Sequence, residues 1–175
     1  MNRTARAPRE GIAKGPDRLD PSRFRPENRR RLSAPALRTF LEIADQRGLR
    51  EEERRLILGL PPRSTYHSWA RAVREHGEIT LDVDVLIRLS AVLGIYQALR
   101  ILYPTEREGT AWLRRPHAAP VFGGHPPMAL LTSGTQDGLL TVRRFLDGAR
   151  GGVYMPPNAA DAVFAPYADS DIVLT

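Results

Sequence analysis

The sequence predicts an all-α protein, and three observations support that prediction. Apolar residues recur at the helical spacing i, i+3, i+4 and i+7; one such run is Tyr66, Trp69, Ala70 and Val73. No segment alternates apolar and polar residues over enough positions to require a strand. Prolines and glycines divide the apolar segments into helix-sized pieces. With 175 residues, 42% of them hydrophobic, the chain has room for one ordinary domain or two small ones around a packed core.

The first 31 residues form a basic leader that we expect to be disordered on its own. They hold ten basic and four acidic residues, a net charge of +6 that equals the charge of the whole chain. The other 144 residues hold 16 basic and 16 acidic side chains, so any basic surface on the folded part must be local. Four prolines and few apolar residues argue against independent folding of the leader. Two interpretations stay open: an arm that contacts DNA phosphates, or a solvated leader.

The first helix is expected to begin near Leu32, with Ser33 as its N-cap and Pro35 in its first turn. Gly48 ends it. Its apolar face consists of Leu37, Phe40, Leu41 and Ala44.

A second helix begins near Arg50 and stops at Gly59, with three glutamates, residues 51–53, at the positive end of its dipole. Pro61 and Pro62 then force a turn, because proline disfavours helix in the residue before it. The third helix is expected to restart at Ser64, which can cap it.

The third helix combines the apolar side Tyr66 to Val73 with a basic, hydroxylated front. Two helices joined by a tight turn, the second with such a front, are typical of a DNA-reading helix-turn-helix. We therefore predict that DNA is contacted by Arg63, Ser64, Thr65, His67, Ser68, Arg71 and Arg74.

Residues 82–103 are apolar on nearly all sides, which predicts a buried central helix or two helices that meet near Gly94. Thr105 to Glu108 spells a T-x-x-E capping box that opens a short helix carrying Trp112. A proline- and glycine-rich loop follows at 118–127.

Two further helices are predicted after that loop. The first is short and carries Met128, and Gly134 breaks it. The second runs past Leu139 and ends at Gly151 and Gly152.

Several classes of protein are disfavoured by composition. Zero cysteines exclude disulfides and a thiol nucleophile. The four histidines show no metal-binding spacing and no catalytic pattern with an acid, so no metal, cofactor or catalytic residue is expected. No apolar run approaches the roughly 18 to 20 residues that cross a bilayer, and the N-terminus lacks the apolar centre of a signal peptide. We expect a cytoplasmic protein without a membrane partner.

The order of the elements resembles the Xre/MbcA/ParS antitoxin family from about Leu32 to Gly152. Its most specific pieces are WLRR at 112–115, the loop with Gly124 and Pro126, the segment 131–134 and the run 139–152. The resemblance implies N-terminal helices that bind promoter DNA. It also implies a C-terminal region that binds a RES-domain toxin, an enzyme that uses NAD.

The resemblance also divides the chain into parts: leader 1–31, helix-turn-helix domain 32–104, toxin-binding domain 105–152 and tail 153–175. The expected function is a type II antitoxin that neutralises its toxin and represses its own operon, as a homodimer or a higher hetero-oligomer with toxin. Candidate toxin contacts in the folded module are Arg114, Arg115, Met128, Arg143 and Phe145.

The tail has three acidic residues, no basic ones and aromatic anchors at Tyr154, Phe164 and Tyr167. Apolar anchors between acids favour binding coupled to folding. The tail is therefore a candidate to enter the basic NAD pocket of the toxin; a frayed terminus and an intramolecular strap are the alternatives.

Two rival functions stay open at this stage. The first is a stand-alone helix-turn-helix transcription regulator whose C-terminal module only dimerises. The second is a small enzyme with an unrecognised site, although no catalysis is expected. An adjacent reading frame for a RES-domain protein would separate the antitoxin from the regulator, and the absence of a pocket with paired titratable groups would count against the enzyme.

Overall fold

The computed structural model describes residues 21–152. Within them the chain is helical and contains no strand, which confirms the all-α prediction. The α-helices are α1 (Pro26–Gln46), α2 (Glu51–Ile57), α3 (Arg63–Arg74), α4 (Val83–Leu102), α5 (Glu106–Arg114), α6 (Pro127–Leu131) and α7 (Gln136–Arg150). Two short 3-10 helices lie at Pro21–Phe24 and Pro120–Phe122.

Helix α1 begins at Pro26, earlier than the predicted start near Leu32. Arg25 is the N-cap and Pro26 occupies the first turn, where a missing N–H costs nothing and a fixed φ suits the helix. Pro35 lies inside the helix instead of in its first turn. The predicted leader therefore extends too far, because residues 26–31 are helical.

Ser33 is not the predicted N-cap but a buried linker between two segments. Its hydroxyl donates to the Arg29 carbonyl oxygen at 2.7 Å and accepts from the Leu81 amide at 2.9 Å. The side chain is fully buried. It thus satisfies the backbone of the segment that leads into α4, a role that local sequence does not show.

The turn between α2 and α3 follows the prediction closely. Gly59 and Leu60 both adopt positive φ, at 89° and 59°, and Pro61 and Pro62 follow. Helix α3 begins at Arg63 directly after Pro62, so the prediction of Ser64 as its cap was wrong. An extended proline with fixed φ sets the direction of the chain into the helix.

Helix α4 is one continuous helix at the centre of the fold, which excludes two helices meeting near Gly94. It packs against α1 and α7. Gly94 is buried, and a Cβ atom there would overlap the guanidinium of Arg143. Glycine at this position lets an arginine of α7 lie across α4.

The expectation that no segment is long and apolar enough to cross a membrane was wrong for α4. It has 20 residues, and its mean hydropathy reaches 1.6 over an 18-residue window. Half of that window is buried inside the bundle, and Arg88 forms an ion pair with Asp84 at 2.6 Å. Burial between other helices is the environment of a core helix, which is apolar all round for the same reason.

The capping predictions in the C-terminal half are confirmed. The Glu108 amide donates to the Thr105 hydroxyl at 3.2 Å and the Thr105 amide donates to the Glu108 carboxylate at 3.1 Å. Gly134, with φ of 79°, prevents α6 from continuing into α7. The Thr135 hydroxyl then caps α7 by accepting from the Gly138 amide at 3.1 Å.

One hydrophobic core unites the two predicted folded domains. Its members come from helices on both sides of residue 105, including Leu37, Phe40, Val73, Leu89, Leu99, Leu113, Leu139, Val142 and Leu146. Because α4 supplies the centre and α7 packs along it, the C-terminal module completes the core of the N-terminal helices.

Candidate functional site

Helix α3 has two different sides, as its spacing predicts. Tyr66, Ala70 and Val73 are buried and Trp69 is half-buried. Six of the seven predicted DNA contacts are exposed, namely Arg63, Ser64, His67, Ser68, Arg71 and Arg74, and Thr65 is half-buried. We call these seven residues the α3 front. Contact between the α3 front and DNA stays a prediction.

Glu51, at the start of α2, holds two members of the α3 front. Its carboxylate accepts a hydrogen bond from Arg63 Nε at 2.9 Å, and its other oxygen lies 3.5 Å from His67 Nε2. The Arg63 hydrogen bond lowers the pKa of Glu51. Among residues 21–152, Arg71 and Arg74 form no such pair, so they are the front's uncompensated cations.

Basic residues of α1 extend toward the end of α3. The Arg38 guanidinium donates to the Val73 carbonyl oxygen at 3.3 and 3.4 Å. Arg31 precedes Arg38 by seven residues on the same side of α1 and is exposed, as is Arg30. Sequence reasoning placed Arg30 and Arg31 in the leader. The i, i+7 spacing of Arg31 and Arg38 is the signal that could have placed Arg31 on the helix.

Two of the predicted toxin contacts, Arg114 and Arg143, form ion pairs with carboxylates of the same chain. Arg114 pairs with the buried Glu53 of α2 at 3.3 Å and donates to the Gly48 carbonyl oxygen at 3.4 Å. Arg143 pairs with Asp147 at 2.7 Å, on its own helix. Their cations are therefore partly compensated before any partner binds.

Glu53 is a buried carboxylate with a lowered pKa. Burial alone disfavours its charged form, but hydrogen bonds from the Arg50 amide and from the Arg114 side chain outweigh that penalty and lower the pKa. The Arg50 amide donates to Glu53 Oε2 at 2.8 Å. Glu53 is thus the ionised link between α2 and α5.

Arg47 forms a second link between α5 and the N-terminal helices. Its buried guanidinium pairs with the Glu106 carboxylate at 2.6 Å and donates to the Thr110 hydroxyl at 2.8 Å. It also lies over the Tyr96 ring, 5.4 Å from the centroid. Burial lowers the pKa of Arg47, while Glu106 and Tyr96 favour the charged form.

The two apolar candidates differ in their exposure. Met128 is only 8% exposed and belongs to the core, so the structure does not present it as the predicted surface anchor, because α6 packs against α5 and α7. Phe145 is half-buried and stacks on Trp112 with ring centroids 6.0 Å apart. Rings surround Trp112 in an aromatic cluster made of Tyr103, Trp112, His117, Phe122 and Phe145.

An open pocket of about 720 Å³ lies beside this cluster, at the outer face of α5. Half-burial of Tyr103 at its edge raises the pKa of the phenol. Arg115, a predicted toxin contact, lines the pocket, and so does Arg107, which sequence reasoning missed. We call it the α5 pocket; its lining consists of Tyr103, Pro104, Arg107, Glu108, Ala111, Trp112, Arg115, Pro116 and His117.

The remaining candidate features are the aromatic residues of the tail and the histidines. Tyr154, Phe164 and Tyr167 lie outside the described residues. Within residues 21–152, no group of three or more metal-ligating side chains comes together. His117 Nδ1 accepts a hydrogen bond from the Ala119 amide at 3.1 Å.

Comparison with known proteins relates the segment from the end of α4 through α7 to a family of antitoxins. A family model described as the antitoxin Xre/MbcA/ParS C-terminal toxin-binding domain matches residues 98–152. The chain is also 36% identical over 116 residues to the uncharacterized protein y4oB of Sinorhizobium fredii, which is 66% of this chain and 84% of that protein. No solved structure matches the chain. The α5 pocket and the aromatic cluster lie wholly within the matched segment. The chain therefore belongs to the Xre/MbcA/ParS antitoxin family and is the antitoxin of a toxin–antitoxin system. This family is one of toxin-binding antitoxins and is not a known enzyme family.

Proposed function

We propose that this antitoxin neutralises a RES-domain toxin that uses NAD, and that it represses its own operon by binding operator DNA through α3. The match of residues 98–152 to a toxin-binding domain carries the proposal. The choice of a RES-domain enzyme as the toxin rests on the resemblance of residues 32–152, in the order of their elements, to the antitoxin family. We also propose that the protein is cytoplasmic, because the operator and the toxin would both be in that compartment.

The α3 front supports the DNA part of the proposal. Its apolar side is fixed in the core by Tyr66, Ala70 and Val73, so the front is held rigidly toward solvent. Arginines suit phosphates and guanine edges, and serine and threonine hydroxyls suit phosphates or bases. One helix in one major groove reads few base pairs. We therefore propose that two copies bind half-sites spaced by about 34 Å per helical turn, as a homodimer or a larger assembly with toxin.

The tail, residues 153–175, is proposed to block the cofactor pocket of the toxin. Its acids are suited to a pocket that binds the phosphates of NAD, and its aromatic residues to the sites of the cofactor rings. Binding and blocking are then separable, since the folded module binds and the tail blocks.

The test is co-expression with the RES-domain protein of the same operon, followed by a pull-down and an assay of NAD consumption. We expect the full chain to co-purify with that protein and to suppress NAD consumption at a stoichiometric ratio. A chain that ends at Gly152 is the matched control; it should still co-purify but protect less. Failure of the full chain to bind would overturn the choice of toxin, and full protection by the shortened chain would reject the tail as the plug.

A further inference from the structure

The arginines of the matched toxin-binding segment fall into two groups. Residues 98–152 contain seven arginines. Five form ion pairs with carboxylates of the same chain: Arg100 with Glu106, Arg114 with Glu53, Arg143 and Arg150 with Asp147, and Arg144 with Asp137. Within the described part of the chain, the side chains of Arg107 and Arg115 form no hydrogen bond or ion pair. Both line the α5 pocket.

The two unpaired arginines are placed along one side of α5. Gly109 and Leu113 are the buried side of this helix. Arg107 and Ala111 lie at i and i+4 on the other side, and Arg115 follows as the C-cap residue directly after the helix, so the two arginine positions lie about 12 Å apart along the helix axis. Both arginines are exposed. A partner can therefore reach both cations at once.

Between and beside these cations the pocket has an apolar floor. Tyr103 and Trp112 are half-buried, with ring centroids 6.3 Å apart, and Trp112 is held in place by stacking on Phe145. The acid in the lining, Glu108, is engaged by the hydroxyl and amide of Thr105. The pocket thus offers two free cations around a fixed aromatic surface.

We propose that the α5 pocket is the surface on which the toxin docks, and that it takes an acidic segment of the toxin that carries an apolar side chain. The inference rests on the proposed function and adds the docking face and the chemistry of its partner. Carboxylates pair with arginine through two parallel hydrogen bonds, and an apolar side chain on the aromatic floor excludes water from those pairs. Tryptophan, tyrosine and arginine are the residue types that dominate binding energy at protein interfaces.

Charge reversal of the two arginines tests the inference. The double variant Arg107→Glu with Arg115→Glu is compared with Arg30→Glu with Arg31→Glu, which changes the charge equally at two exposed positions of α1. Affinity for the RES-domain protein of the same operon is measured by titration calorimetry. We expect the pocket variant to bind about 100-fold more weakly, as for a pair of interface hot spots, and the α1 variant to stay within about threefold. Because Arg107 and Arg115 hold nothing inside the described fold, melting curves should match.

The outcomes separate this inference from the proposed function. If the wild-type chain binds the toxin and the pocket variant binds equally well, the docking face is wrong while the proposed function stands. If the wild-type chain does not bind, the proposed function fails and takes the inference with it. If the pocket variant loses affinity for operator DNA but keeps its affinity for the toxin, the pocket would be a nucleic-acid site. Tighter toxin binding by a chain ending at Gly152 would assign it to the chain's own tail; either result would overturn the inference.

Discussion

The α3 front and the α5 pocket are both exposed sides of short helices whose other sides lie in the same core, yet they differ in what surrounds their cations. Arg71 lies one turn after Ser68 on the α3 front, which also carries Ser64 and Thr65. Arg107 and Arg115 flank the rings of the α5 pocket. Hydroxyls with arginines suit phosphates and base edges, whereas rings with arginines suit the dry centre of a protein interface. The neighbours of an unpaired arginine, more than its charge, indicate which kind of partner it fits.

A third set of arginines joins helices to one another. Arg47 and Arg114 tie α5 to the N-terminal helices, and Arg88 donates to the Gly134 carbonyl oxygen between α6 and α7. These contacts join elements that the sequence assigns to different domains. The two proposed binding surfaces therefore lie on helices that share one core and are joined by these contacts.

The largest effect is expected from breaking the α3 front alone. Replacing Arg63 and Arg71 with alanine removes two candidate contacts, each worth about 1 to 3 kcal/mol when it reads a base, so operator affinity should fall at least about 30-fold at matched salt. Arg71→Ala alone should cost more than Arg63→Ala, because Glu51 already engages Arg63. The measurement is an anisotropy titration with operator DNA.

The control for this prediction is toxin binding by the same double variant, which should equal that of the wild type. Arg144→Ala, an exposed arginine on α7, should leave operator affinity unchanged. Unchanged operator affinity of the double variant would remove α3 as the reading helix. Parallel loss of both activities would show that the two surfaces are not independent.

The shared core gives the next largest effect, and it should act on both halves equally. Leu139 of α7 is fully buried, so Leu139→Ala should lower the free energy of unfolding by about 2 to 5 kcal/mol. The chain's two tryptophans, Trp69 in α3 and Trp112 in α5, report on each half when the other is replaced by phenylalanine. Both reporters should give one coincident unfolding transition that shifts by the same amount.

Ile101→Ala is the control for the core prediction, because Ile101 is 59% exposed and its loss should change stability by less than about 0.5 kcal/mol. Two separated transitions, with Trp69 insensitive to Leu139→Ala, would contradict a shared core and restore two independent domains.

The difference between local and tertiary information explains what the sequence could predict. The capping box at Thr105 and the two sides of α3 depend on residues within one or two turns, and both were predicted. The cap at Ser33 was wrong because α1 begins at Pro26 and Ser33 lies inside it, where its hydroxyl accepts from the Leu81 amide 48 residues away.

The same difference applies to the candidate site. Arg114 and Arg115 are neighbours in sequence and look alike, but Arg114 meets Glu53, 61 residues away, and Arg115 does not. The burial of Met128 likewise depends on how α6 packs against its neighbours. Periodicity therefore gives the α3 front almost complete, whereas the α5 pocket needs the tertiary contacts that leave Arg107 and Arg115 unpaired.

The smallest effect should come from the link between the two halves, at Glu53. Replacing Glu53 with glutamine keeps its shape but removes the charge that Arg114 and the Arg50 amide stabilise. The loss should lower the free energy of unfolding by about 1 to 3 kcal/mol at pH 7.

Because the pKa of Glu53 is lowered in the folded state, the contribution of its charge to stability is fully present above the unfolded-state pKa of about 4.3. It is lost as the pH falls through the lower folded-state pKa. Urea titrations of wild type and variant should therefore differ at pH 7, and the difference should shrink as the pH falls below about 4.3 and vanish below the folded-state pKa. Glu52→Gln, an exposed neighbour, should lose only the contribution of a surface carboxylate to the helix dipole, about 0.3 to 1 kcal/mol. A difference between wild type and Glu53→Gln that does not shrink as the pH falls below about 4.3 would mean that the variant loses packing and not charge, and the link between α2 and α5 would then be steric.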